Sequence, residues 1–313
     1  MVNESSTASK IREELIALDL IIESRLELFC QGTRDKSDIP VFQDVSSAVI
    51  FHDFYPGDEF YATTNGGFDS LGRTVDPKMG VTNAGMRFEQ RKDLERRIES
   101  NLQLIAHRHV VDFGCGEGWF LRSAKNLAKS VCGIELNNYC KETLNKGGID
   151  CVADFSPGRK VDTLTMFHTL EHTPSQLVTL EKAHELLSRS STRSDVSGAV
   201  IIEVPHARDF LLSTLNHEGF RKFTLRSDHC ILHTRESLTR FMEYVGFKRV
   251  SIRSVQRYPL SNHLGWLSRN SPGGHTSDLS VLDSGTLHAA YESALAQVDA
   301  TDTIVAIGFV DKS

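Results

Sequence analysis

Val110-Val111-Asp112-Phe113-Gly114-Cys115-Gly116-Glu117-Gly118 is the stretch on which the fold turns. A short apolar run ends in three alternating glycines, and a helix-forming segment starts at Trp119. Glycine lets the backbone turn sharply at a strand end and approach a ligand with no β-carbon in the way. The spacing excludes two common phosphate readers. A dinucleotide fingerprint G-x-G-x-x-G requires glycine where this chain has Trp119, and a P-loop requires a closing Gly-Lys-Ser/Thr that is missing. What is left is G-x-G-x-G with an acid, Asp112, two residues ahead of the first glycine. Glu135 stands seventeen residues past Gly118, closing the strand-like run Val131-Cys132-Gly133-Ile134. A carboxylate there can accept from both ribose hydroxyls, so the ligand reads as an adenosine without a pyrophosphate.

Outward from this loop, strand and helix patterns alternate to residue 258. Strands are expected at 109–113, 130–136, 161–168 and 199–204, with helices at 119–128, 138–145 and 175–187. A charged amphipathic helix from Met86 to about Ile105 precedes them. Such alternation argues a parallel sheet wound by right-handed crossovers, an α/β fold. The ending differs: a helix at 236–245, a strand at 247–258, a polar loop at 259–275, a helix over 278–296 and a last strand at 303–310. Residues 188–198 read as a polar surface insertion.

Several of these stretches together resemble the class I S-adenosylmethionine-dependent methyltransferases. Asp112 to Gly118 with Glu135 is similar to their motif I and its acidic partner. Cys151-Val152-Ala153-Asp154-Phe155 looks like their adenine-contacting segment. Phe167-His168-Thr169-Leu170-Glu171-His172 resembles the H-x-L-E-H strand end of a small-molecule branch, and Ile201-Ile202-Glu203-Val204-Pro205-His206 its fifth strand. The resemblance covers about residues 86–311 and implies a Rossmann-like seven-stranded, mostly parallel sheet with the last strand antiparallel and helices on both faces. It implies S-adenosylmethionine as cofactor, with Asp112 at the methionine ammonium. Gly114, Cys115 and Gly116 would then lie under methionine and ribose, Glu135 at the ribose and Asp154 at the adenine. Gly118, Leu136, Phe155, Phe167 and His168 complete the implied set. The family's Lys-Pro-Gly-Gly turn is replaced here by Ser188 to Gly198.

The N-terminal 1–85 reads as a helical and irregular cap on a catalytic domain at 86–313. Ile11, Leu15, Leu18, Ile22, Leu26 and Phe29 recur at helical steps over residues 8–30. That helix either packs on its own domain or serves a partner or homo-oligomer. Phe51, Phe54, Tyr55, Phe60, Tyr61 and Phe68, broken by Pro56, Gly57, Gly66 and Gly67, suit a lid or a secondary core.

For the acceptor, His172 is the best candidate base, since it follows the strand end and imidazole titrates near neutral pH; Glu171 orients it or serves itself. Both residues could instead cap the next helix. Tyr61, His206, His229, His233, Tyr258 and His263 form a candidate polar wall for substrate. His229 and His233 are four apart, but no helix is expected there, so no metal is assigned. The wall favours a hydroxyl-rich small molecule such as a saccharide. Related deoxysugar carbon-methyltransferases carry an N-terminal zinc module with paired cysteines, and no C-x-x-C occurs here, so O-methylation leads. A macromolecular acceptor and a non-catalytic cofactor binder stay open.

Lys+Arg 35 against Asp+Glu 41 gives a net charge of −6, unsuited to a dedicated nucleic-acid binder. No apolar run reaches the roughly 18 residues of a membrane span, the richest stretch, 15–22, being broken by Asp19. The polar Met1–Lys10 start lacks a signal-peptide core, and six scattered cysteines suit reduced thiols, so a cytoplasmic protein is expected.

Overall fold

The structure, a computed structural model, describes residues 7–63, 88–156, 158–190 and 198–311. It opens with strand β1 (Thr7–Ala8), helix α1 (Ile11–Ala17), strands β2 (Leu26–Gln31), β3 (Pro40–Asp44), β4 (Ile50–Phe51) and β5 (Phe54–Tyr55), and helix α2 (Asp58–Ala62). Helices α3 (Phe88–Ser100) and α4 (Leu102–Ile105) lead into β6 (His109–Phe113), α5 (Trp119–Ala124), β7 (Ser130–Ile134), α6 (Asn138–Lys146) and β8 (Asp150–Val152). Then come β9 (Thr163–Phe167), α7 (Gln176–Ser190), β10 (Ala199–Pro205), α8 (Glu218–Thr224), β11 (Ile231–Leu232) and α9 (Arg235–Tyr244). The chain closes with β12 (Lys248–Val255), α10 (Leu260–Arg269), α11 (Gly285–Gln297) and β13 (Thr303–Phe309).

Seven strands form one sheet in the order β12-β13-β10-β9-β6-β7-β8. From β10 to β8 every pairing is parallel, whereas β13 runs antiparallel to both β10 and β12. This is the expected Rossmann-like α/β sheet. Its central strands are apolar because both faces are covered; in β10, residues 199–204 are all buried. Successive residues face opposite sides. Val111 joins the core under α7 and α9 with Leu180 and Phe241, while Val110 joins the one under α5 and α6 with Leu121 and Leu144. Each such side chain taken fully from water contributes roughly 1.5–3 kcal/mol. No helix among the described residues is long and apolar enough to cross a membrane.

The N-terminal region departs from expectation. The helix expected over 8–30 stops at Ala17, and Asp19 turns the chain at φ 55. Residues 26–31 instead form β2, which pairs with β3 in a four-stranded antiparallel sheet of order β11-β4-β3-β2. The segment expected to be irregular thus supplies three strands: β3 and β4 join β2 in this sheet, which β11 completes from residues 231–232, while β5 pairs with β1. Ile11, Leu15 and Leu18 lie in the main core, while Ile22 stays 52% exposed. The first half of the face considered for a homo-oligomer, Ile11 to Leu18, is therefore covered by the chain itself. Buried Glu14 fixes α1 there by accepting from Gln176 and Leu177 N–H at the start of α7, where a carboxylate suits the helix dipole.

Three further differences lie in the second half of the chain. The loop expected over 259–275 contains α10, whose polar Ser261, Asn262 and His263 are buried. They are satisfied by partners distant in sequence, Ser261 donating to Asp283 and His263 meeting Tyr291, so composition alone disguised a packed helix as a loop. The helix expected at 278–296 is a short 3-10 turn at Asp278–Leu282 followed by α11. Helix α7 runs on to Ser190; the rest of the expected insertion (191–197), Met86, Gly66, Gly67 and Phe68 lie outside the described residues. All six cysteines are free thiols.

Candidate active site

In an open α/β sheet, ligands bind beyond the carboxyl ends of the strands. Here β6 ends at Phe113 and the loop after it places Gly114, Gly116 and Gly118 at φ 70, 54 and 73, a region costly for any residue with a β-carbon. A Cβ on Gly114 would stand 2.2 Å from Thr169 Cγ2, and one on Gly118 2.3 Å from Leu144 Cδ2. The loop is thus clamped against both the turn after β9 and α6.

Glu135 pins it from the next strand. Its Oε2 accepts from Gly116 N–H at 2.7 Å and its Oε1 from Asn137 N–H at 2.8 Å. Each oxygen keeps a further lone pair for a ligand hydroxyl. Burial raises the Glu135 carboxyl above its ordinary range in spite of these backbone donors. Asn137 caps α6 through Cys140 N–H and donates to the carbonyls of Tyr61 and Thr63, tying α2 to this loop. Asp112 is buried and accepts from Thr165 Oγ1 at 2.6 Å. Burial pushes its carboxyl up to about 7, against the pull of Thr165 and Arg97. Cys115 turns its thiol into the core, 3.8 Å from Cys151 Sγ, so its backbone is what the loop presents. Phe155 stacks on Phe113 at 5.0 Å, Asp154 is exposed beside Lys182 at 3.2 Å, and Leu136 is 38% exposed.

The end of β9 carries the next group. Phe167 meets Phe120 edge-on at 4.9 Å, with the Arg97 guanidinium 4.5 Å from its ring centre. His168 takes φ 52, which turns the chain, and its Nδ1 lies 3.2 Å from Glu171 Oε1. Its Nε2 stands 3.2 Å from Glu203 Oε1 without the alignment of a hydrogen bond. Glu203, fully buried in β10, accepts from Arg96 Nη2 at 2.9 Å and Arg97 Nη2 at 2.7 Å. Burial works to raise this carboxyl, but Arg97, His168 and Arg96 outweigh it and hold it well below the usual range. Asp93 links Arg96 to Arg257, so α3 is bolted by charge across the strand ends. Asp93, Arg96 and Arg97 carry no motif in the sequence, and Arg257 reads there only as part of a polar loop; the one signal is the acid in Ile202-Glu203-Val204, which an apolar strand tolerates only when paired.

Beyond His168 a 3-10 turn, Leu170–His172, presents Glu171 and His172. Glu171 is fully buried; burial would raise its carboxyl, but His168, His172 and His229 pull it down to about 2. The His172 ring meets His229 edge-on at 4.7 Å and Tyr61 at 5.9 Å, and Tyr61 donates to the Asp228 carbonyl. Burial and the neighbouring His172 hold the His229 imidazole down to about 3. Of the expected polar wall, then, the structure gathers Tyr61 and His229 around His172.

The other four members lie elsewhere. His233 is fully buried, its ring nitrogens at 2.9 Å from Ser237 Oγ and 2.6 Å from Gln176 Oε1, which leaves nothing for a substrate. His206 is buried against the Thr301 carbonyl at 3.0 Å, and His263 sits inside α10 against Tyr291 at 2.6 Å. Tyr258 packs on His275 at 5.3 Å, its N–H held by Asp302. These polar residues serve packing between the C-terminal elements, a role that composition cannot separate from substrate contact.

A family model described as a methyltransferase domain matches residues 86–252. The chain belongs to that family. It is an S-adenosylmethionine-dependent methyltransferase of class I. No curated protein matches its sequence. Among solved structures, the methyltransferase is similar to a SAM-dependent methyltransferase from Archaeoglobus fulgidus, at 20% identity over 70% of this chain and 94% of that one, with TM-score 0.43. A cyclopropane synthase from Mycobacterium tuberculosis matches at 16% identity over 70% and 83%, TM-score 0.43. An S-adenosylmethionine-dependent methyltransferase from Mesorhizobium loti matches at 15% over 68% and 95%, TM-score 0.42. The residues present suit the cofactor chemically: a buried acid with a raised pKa, Asp112, for an ammonium, and a second acid, Glu135, with lone pairs left for a diol.

Proposed function

We propose that the enzyme methylates a hydroxyl oxygen of a polar small molecule, saccharide-type acceptors being the first to test. One observation carries this reading. The turn bearing Glu171 and His172 is packed on the first glycine of the cofactor loop, Thr169 against Gly114, and His172 meets His229 and Tyr61. Groups able to take or stabilise a proton therefore stand beside the loop proposed to hold the cofactor. S-adenosylmethionine supplies an electrophilic methyl on a sulfonium, and the chain must align an acceptor oxygen with it and relieve that oxygen of its proton. The Glu171–His172–His229 group is where that proton is lost, and Tyr61, on the short helix tied to Asn137, covers it. The reading is tested by a screen for released S-adenosylhomocysteine over alcohols, saccharides, amines and thiols. Turnover confined to hydroxyl-bearing acceptors is expected; turnover with amines or thiols alone would overturn it.

The cofactor side yields two expectations. Each hydrogen bond to a charged group contributes roughly 1.5–3 kcal/mol, so Glu135→Ala should weaken S-adenosylmethionine binding about 100-fold by removing the ribose contacts. Calorimetry checks this, and a change below about threefold would remove Glu135 from the ribose site. Asp112 adds a pH dependence. Its carboxyl is pushed up to about 7 in the free protein, while pairing with the methionine ammonium requires the ionised form. Below that pH, binding must therefore release a proton, and affinity falls by up to about tenfold per pH unit. Above it the profile flattens. Titrations between pH 5.5 and 8.5 should show this bend in the wild type and lose it in Asp112→Asn, whose overall affinity is lower.

A further inference from the structure

We propose that Glu171, His172 and His229 form a binding site for one divalent transition-metal cation on the acceptor side of the catalytic cleft. One donor atom from each of the three lies within 4.8 Å of the other two. Two imidazoles and one carboxylate are the ligand set of open catalytic zinc sites and of sites that leave positions free for substrate. Ligand bonds of about 2.1 Å would draw the three donors closer together. Two independent observations point into the site. Glu171 is fully buried, yet its Oε2 has no hydrogen-bond partner among the described residues, its Oε1 being engaged by His168. His172 Nδ1 is likewise buried without a hydrogen-bond partner among them, 3.7 Å from Asp228 Oδ2. Buried polar atoms left in this way are costly, and a cation satisfies both at once.

The surroundings are arranged as such a site requires. Asp228 is held by Arg226 in a two-point pair, at 2.7 and 2.6 Å, and fixes a second carboxylate beside His172 Nδ1, which adds negative charge next to the site. His168 fixes the other edge of Glu171. Nitrogen donors favour zinc, copper, iron or nickel over magnesium, calcium or manganese, which prefer oxygen-rich shells. The pair set aside from the sequence, His229 with His233, is not the one used: His233 points into the core, and His229 finds its partners on the turn after β9. The cation deepens the reading above and rests on it: its open positions would hold the acceptor oxygen beside the glycine loop and lower the pKa of that hydroxyl, whose proton would then pass to water rather than to a ligating imidazole.

The test titrates chelator-treated enzyme with Co²⁺, followed by visible absorption, and with Zn²⁺ by calorimetry. One equivalent should bind. His229→Gln and Glu171→Gln should weaken it by well over tenfold. S-adenosylmethionine affinity measured on the same variants reports whether each is folded. Absence of saturable binding to the wild type, or binding indifferent to His229→Gln in a variant that still binds cofactor, would overturn the site. Chelated enzyme turning over as fast as the loaded form would overturn its part in the reaction. A bound cation with methyl transfer only to amines or thiols would instead sink the hydroxyl reading and leave the site standing.

Discussion

His172→Ala is expected to lower kcat by about 100- to 10,000-fold, whether the imidazole takes the reacting proton itself or ligates the cation that acidifies the hydroxyl, with cofactor affinity nearly unchanged. The split follows from position. His172 contacts Tyr61 and His229 on the side proposed for the acceptor, while the glycine loop proposed for the cofactor is held by Glu135, Thr169 and Leu144, none of which depends on the imidazole. Steady-state kinetics with the acceptor found by screening, beside cofactor calorimetry, measures both quantities. Wild-type turnover in a variant with intact cofactor binding would remove His172 from the chemistry. A loss of cofactor affinity equal to the loss of rate would show instead that the turn is a structural prop for Gly114.

Glu203→Gln should cost about 3 kcal/mol of stability, toward the lower end for breaking a buried ion pair because both arginines keep part of their surface. Glu203 has no exposed surface, while the Arg96 and Arg97 side chains retain 22% and 17% of theirs. Neutralising the acid leaves two guanidinium groups crowded against His168 without their shared anion. Arg257, bound to Asp93, belongs to the same network, so the loosening should reach α3. Urea unfolding gives the figure directly through a shift in midpoint at constant slope. A shift worth less than about 1 kcal/mol would place the pair among ordinary surface bridges.

The sheet was legible from the sequence because its strands are buried on both faces and read as apolar runs between helical periods. The glycine loop was legible because its glycines are forced: two of the three positions have no room for a β-carbon. Glu171, His172, His229 and Tyr61 were named from the chain, and the structure brings them together. What stayed hidden has a common cause. The N-terminal strands are short and borrow β11 from a segment 180 residues away, a pairing that no local pattern announces. Buried polar residues such as His233, His206 and His263 look like a substrate wall until their partners, mostly distant in sequence, are seen. The arginines over the strand ends escaped because a charged helix such as α3 ordinarily reads as a solvated face.

Transfer from S-adenosylmethionine labelled with ¹³C in the methyl group, followed by NMR of the product, tests the central claim most directly. The account predicts the label on a former hydroxyl oxygen of a small molecule, formed by the wild type and lost in His172→Ala. Label on nitrogen, on carbon or on a macromolecule would contradict it.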